Sequence, residues 1–181
     1  MILTAFRRGP QLRNIHALYG MIVAQARSPA FYIGYGVPDT VDGRFELIVL
    51  HLVLVLNRLN RNREKVSPIG QLVFDAFCSD LDDNLREMGV GDLAVPRRMR
   101  RFGEAFYGRQ AAYCMALDAD DQRELEKAIS RNIFGVTGVD ENAVRLSRYV
   151  RATARRLDTE EEGVVAAGKA VFPDPEAFSD D

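Results

Sequence analysis

Asp80, Asp83 and Glu87 stand three and four residues apart, a spacing that brings side chains to one flank of a helix. Carboxylates so placed could hold Mg²⁺ and, through it, a diphosphate, with Arg97, Arg98, Arg100 and Arg101 clamping the phosphate oxygens. The corresponding chemistry is that of a magnesium-dependent all-α enzyme acting on a polyprenyl diphosphate. Such enzymes use aspartate-rich motifs on facing helices, and the chain has no second motif of this kind, so solvated surface carboxylates are the competing reading. Di-iron chemistry needs Glu-x-x-His pairs, whereas His16 and His51 are the only histidines and neither has a glutamate three residues before it. Cys78 falls on an apolar stripe, where desolvation disfavours the thiolate, and His51 sits in an apolar run that suits a satisfied core or interface histidine. No nucleophile, base and electrophile set is complete, so the residues predict no catalytic group, no cofactor and no resident metal.

The same arginines, four within five residues, also suit a solvated helix face, an anionic lipid surface or an RNA backbone. A formal net charge of -2 argues against a dedicated nucleic-acid binder, and DNA is not an expected partner. A basic-patch RNA-binding module stays open on local charge alone. The length of 181 residues predicts one domain with a substantial core, and 47% apolar with 28% charged residues are globular values. Cys78 and Cys114 lack CxxC spacing and are expected to be reduced, buried thiols. The opening MILTAFRRGPQLRN has no apolar signal core, which predicts a cytoplasmic chain.

The elements that carry these residues are helices. From Gln11 to Arg27 apolar residues recur at steps of three and four, and Ser28-Pro29 ends the pattern. Phe31, Tyr32 and Tyr35 then crowd a short turn closed by Gly34, Gly36 and Pro38. Asp39 or Thr40 can cap the helix that follows, whose body from Phe45 to Leu59 is the most apolar run of the chain. Phe45, Ile48, Val49, Leu52, Leu56 and Leu59 share one face of it, and Leu47, Leu50 and Leu54 lie opposite. The second face is either packed on both sides as core or helps to hold an apolar client. At ten residues, the stretch from Leu47 to Leu56 is too short for the ~20 that a bilayer span needs.

Ser67-Pro68 starts an acidic helix, Gly89 closes it in the left-handed conformation, and GVGDLAVP links it to the basic helix, whose stripe of Met99, Phe102, Phe106, Tyr113 and Leu117 is expected to be core. Asp118 or Asp120 is expected to cap a helix built on Leu125, Ala128 and Ile129. A helix through Val144, Leu146, Tyr149, Val150 and Leu157 follows, and Thr159 with Glu162 reads as a capping box for a last short one. The prediction is a single compact all-α domain of about seven or eight helices over residues 1–172, with an acidic, flexible tail at 173–181.

Three strings carry a resemblance. QARSPAFY at Gln25 to Tyr32, GVPDTVDGRFE at Gly36 to Glu46, and LREMGVGDLAVPRRM continuing to EAFYGR at Leu85 to Arg109 are similar to signatures of the ubiquinol–cytochrome c chaperone family. The similarity runs from about Leu18 to Ala116. It implies a helical, non-catalytic assembly chaperone for respiratory complex III that binds newly made cytochrome b. It also implies a bacterial-type member in the cytoplasm or at the inner face of the cytoplasmic membrane, with a ribosome or a small partner protein as further contacts. On this reading Phe31, Tyr32, Tyr35, Leu47, Leu50 and Leu54 border the client-binding groove. Arg97, Arg98, Arg100 and Arg101 form a polar docking face.

Overall fold

A computed structural model of the chain describes residues 3–61 and 66–178, with side chains described from residue 12 onward. Every regular element among them is helical. In chain order these are α1 (Leu3–Ala26), α2 (Pro29–Ile33), α3 (Val41–Asn60), α4 (Pro68–Glu87), α5 (Val95–Asp118), α6 (Gln122–Ile129), α7 (Glu141–Thr159) and α8 (Glu162–Ala166). A π-helical turn, Ser130–Phe134, prolongs α6, and a 3₁₀ turn, Pro175–Phe178, follows α8.

The apolar run becomes the axis of the fold. Helix α3 packs against α1, α4, α5, α7 and α8. Leu47 and Val49, on opposite sides, are both fully buried, as are Leu50 and Leu52 to Val55 apart from a trace of Leu54. A helix so enclosed needs apolar residues all round, which is why its sequence lacks a polar face. Its start is fixed by two devices. Thr40 accepts a hydrogen bond from Gly43 N at 3.1 Å, capping the first turn. At Gly43 a Cβ would sit 2.0 Å from the carbonyl oxygen of Pro38, so only glycine lets the incoming loop cross the helix.

Helices α4 and α5 form the expected hairpin. Gly89 has φ +78°, its N–H donates to Arg86 O, and the Val90 N–H donates to Leu85 O, the paired bonds of a Schellman stop. The stripe residues Phe106 and Tyr113 turn inward, while Arg97, Arg98, Arg100 and Arg101 are exposed.

Three local expectations are corrected. Asp121, rather than Asp118 or Asp120, caps α6 by accepting from Glu124 N at 3.1 Å, because α5 runs through Asp118 and Asp120 takes the left-handed turn that follows. Thr159 belongs to the last turn of α7 and donates to Arg156 O, so it cannot cap the next helix; Glu161 stands at the α8 N-cap. The segment expected to hang as a flexible tail from residue 173 is docked through Phe178: Tyr35 donates to Pro175 O at 2.6 Å, and Gln25 donates to Pro173 O at 3.2 Å. Pro175 is buried, because two prolines and flanking aromatics give this segment apolar surface to dock. Residues 179–181 lie outside the described residues.

Candidate functional site

The aromatic residues picked from the sequence are brought together, but inside the protein. Phe31, Tyr35, Leu47 and Leu50 are fully buried, and Leu54 is 2% exposed. Phe31 packs edge-on against His51 and Tyr149, with ring centroids 5.2 and 5.0 Å away. Tyr32 is half-buried and donates to Ala26 O at 3.2 Å. Five of these six residues therefore build the core rather than a client groove, and Tyr32 packs at its edge. The reason is non-local: α7 supplies Tyr149, and the segment after α8 lays Phe172 edge-on to His51 at 5.5 Å.

His51 completes this closed cluster. Its Nδ1 lies 2.7 Å from Leu47 O, which only an N–H can satisfy, so Nε2 accepts from the Tyr149 hydroxyl at 2.9 Å. Gln25 donates to the same hydroxyl at 3.0 Å. Burial holds the imidazole down to about 4, against the opposing pull of its backbone hydrogen bond, and the ring is neutral at physiological pH. It is a satisfied core histidine.

An open apolar surface lies elsewhere, where α1, α3, α4 and α5 leave a trough of about 330 Å³. Phe45, Ile48 and Phe102 form much of its floor with Phe77, Leu81 and Leu85. Phe45 stacks between Phe102 and Phe77, with centroids 5.0 and 6.0 Å away. Val41 and Met88, on the rim, are 70% and 63% exposed, and Leu93 in the adjacent α4–α5 turn is 98% exposed. Arg27, Arg44 and Arg98 edge the trough with Asp42 and Asp80. Floor and rim together form the kind of concave, mostly apolar surface that holds a hydrophobic ligand or segment. The sequence carries a signal for it: Phe45 and Ile48 fall on the face of α3 away from Leu47, Leu50 and Leu54.

The acidic flank is not assembled as a cation site. Asp80 accepts from the Tyr19 hydroxyl at 2.8 Å, and burial together with this bond raises the tyrosine's pKa. Asp83 lines the neighbouring groove between α1 and α4, whereas Glu87 lines neither. Among the described residues no group of His, Cys, Asp or Glu is disposed to hold a metal ion. Cys78 and Cys114 are free and half-buried; burial pushes the first thiol upward and the second to about 11.

One charged contact escaped sequence reasoning. Arg109 Nε donates to Glu46 Oε2 at 2.6 Å while its Nη2 reaches Oε1, a bidentate bridge from α5 to α3 with 22% and 11% of the side chains exposed. Burial raises the Glu46 carboxyl, and the arginine opposes that rise. The available signal was a lone carboxylate at the edge of FELIVLHLVLVL, which needs a cation once the run is buried. The bridge ties the GVPDTVDGRFE string to the EAFYGR string.

Comparison with known proteins places this geometry among relatives. The model of the family described as ubiquinol-cytochrome C chaperone matches residues 34–172. Ubiquinol-cytochrome c reductase complex assembly factor 1 of Drosophila melanogaster is 25% identical over 150 residues, covering 80% of this chain and 58% of the relative. The protein of the same name from Mus musculus is 23% identical over 143 residues, covering 78% and 48%. The chain thus spans about half the length of these curated relatives. The crystal structure of the Cbp3 homolog from Brucella abortus superposes with a TM-score of 0.87 at 37% identity, covering 98% of this chain and 99% of that one. No helix among the described residues is long and apolar enough to cross a membrane.

Proposed function

The chain belongs to the ubiquinol–cytochrome c chaperone family, and on that premise we propose that it assists assembly of respiratory complex III by holding newly made cytochrome b, without catalysing a reaction. The observation that carries this reading is the open trough floored by Phe45, Ile48, Phe77 and Phe102. A chaperone for a membrane protein needs exposed apolar surface for a hydrophobic segment and a charged rim that keeps the complex dispersed. Arg27, Arg44, Arg98 and Asp42 supply such a rim. The trough takes over the role that the sequence gives to Phe31, Tyr35, Leu47, Leu50 and Leu54, which are buried, and to Tyr32, which is half-buried.

Arg97, Arg98, Arg100 and Arg101 are the proposed polar docking face. All four are exposed, and none makes an ion pair among the described residues. The inner face of the membrane is the place where a client of this kind is met.

Deleting the gene and comparing assembled complex III with the messages for its subunits tests the function. The expected result is lost complex with intact messages, restored by the wild-type chain and not by Phe102→Asp. Unchanged complex in the deletion strain overturns the proposal.

A further inference from the structure

The trough does not end at its apolar floor. Tyr19 and Asp80 line both it and a second groove of about 450 Å³ between α1 and α4, so the two grooves adjoin along α4 at the Tyr19–Asp80 hydrogen bond. The second groove changes character. Its floor keeps apolar groups, Leu12, Ile15, Leu72 and Ala76, with Leu12 54% exposed. Its wall carries Asp75, Asp80 and Asp83, and no lysine or arginine lines it among the described residues. Asp83 has no hydrogen-bond or ion-pair partner among them, and Asp75 accepts only from Gln71 on its own helix, at 2.8 Å. The arginines of the two grooves, Arg27, Arg44 and Arg98, all edge the trough, where Asp42 and Asp80 stand beside them. From the trough to its neighbour the surface therefore passes from apolar with a mixed rim, three arginines against two aspartates, to apolar with an acidic wall.

An occupant that matches both halves has an apolar helical stretch followed by lysines or arginines. Nucleic acid and anionic lipid are repelled by the acidic half, and a uniformly apolar helix leaves its carboxylates unused. An apolar run with a basic flank is what marks the cytoplasmic end of a membrane-spanning helix. We propose that this chain recognises such an end: the apolar run lies in the Phe45–Phe102 trough, and its basic flank lies against Asp75, Asp80 and Asp83. This inference rests on the trough being the client site, and it adds a requirement for charge and for direction.

The test uses two fluorescent peptides, a leucine- and alanine-rich helix ending in lysines and the same helix ending in serines, titrated with the full chain at low ionic strength. The wild type is expected to bind the lysine-tailed peptide about tenfold more tightly, an advantage that shrinks as salt is raised. In Asp75→Asn/Asp83→Asn, which leaves the Tyr19–Asp80 bond intact, the two peptides should bind nearly alike, with affinity for the serine-tailed one unchanged. Phe102→Asp should weaken both peptides equally. Equal binding of the two peptides by the wild type, or an undiminished lysine preference in the double variant, overturns the inference while leaving the trough as client site. Absence of binding by either peptide to the wild type removes the trough reading, and this inference with it.

Discussion

The molecule contains two aromatic clusters that lie against the same central helix and differ in what covers them. Around His51, the rings of Phe31, Tyr35, Tyr149 and Phe172 are closed over by α7 and the C-terminal segment, and the polar atoms of His51 and Tyr35 have partners. Around Phe77, which is itself buried, the rings of Phe45 and Phe102 are left half-covered, with charged side chains only at the rim. Both clusters are aromatic and both touch α3. What distinguishes the closed cluster from the open one is a lid of sequence more than a hundred residues away, and the hydroxyl and imidazole groups that a closed cluster must satisfy internally.

Substitutions should separate the two clusters. The largest loss is expected for Tyr149→Ala, which empties the closed cluster and strips His51 of a partner; truncating a buried aromatic costs about 3–5 kcal/mol, or a melting temperature lower by roughly 10 °C. Arg109→Ala, which leaves Glu46 without its cation between α3 and α5, should cost about 3 kcal/mol by denaturant titration, while Arg109→Lys recovers only part of it.

His51 gives the closed cluster a pH signature. Its folded pKa is held down to about 4, against about 6.5 in the unfolded chain, so between those values only the unfolded state takes up the proton. This contribution leaves stability undiminished above pH 6.5 and removes about 1.4 kcal/mol per unit as the pH falls toward 4. The difference between wild type and His51→Gln across that window isolates it, and a pH-independent difference would contradict the burial of a neutral ring. In the open cluster, Phe102→Asp should lower stability by only about 1 kcal/mol yet remove binding of an apolar peptide. Arg97→Glu/Arg101→Glu should leave the melting temperature where it is, and change only association with an anionic surface.

Helical class, the Gly89 stop, the Thr40 cap and the inward turn of Phe106 and Tyr113 were legible because each is decided within a few residues of chain, whereas Phe102 on the same stripe faces the trough. Charge placement on α4 and α5 was legible for the same reason. Which face of α3 stays open was not. Helical periodicity assigns Leu47, Leu50 and Leu54 to one face of α3, and Phe45 and Ile48 to the other, but it contains no information about which face a distant segment will cover. Phe172 and Tyr149 cover His51 of this helix, and Pro175 accepts from Tyr35 beside it. The docked C-terminal segment was missed because its two prolines and acidic residues read as a loop, whereas its carbonyls at Pro173 and Pro175 serve as acceptors for Gln25 and Tyr35. The Glu46–Arg109 bridge spans 63 positions and was visible only as two unremarked charges.

The most direct test follows amide hydrogen exchange of the full chain with and without a saturating apolar helical peptide. Added protection is expected in the parts of α1, α3, α4 and α5 that line the trough, around Tyr19, Phe45, Leu81 and Phe102. The segments that enclose the His51 cluster, α2 and residues 170–178, should exchange as they do in the free protein. Protection confined to those segments, with the trough unchanged, would contradict the assignment of the open cluster as the client surface.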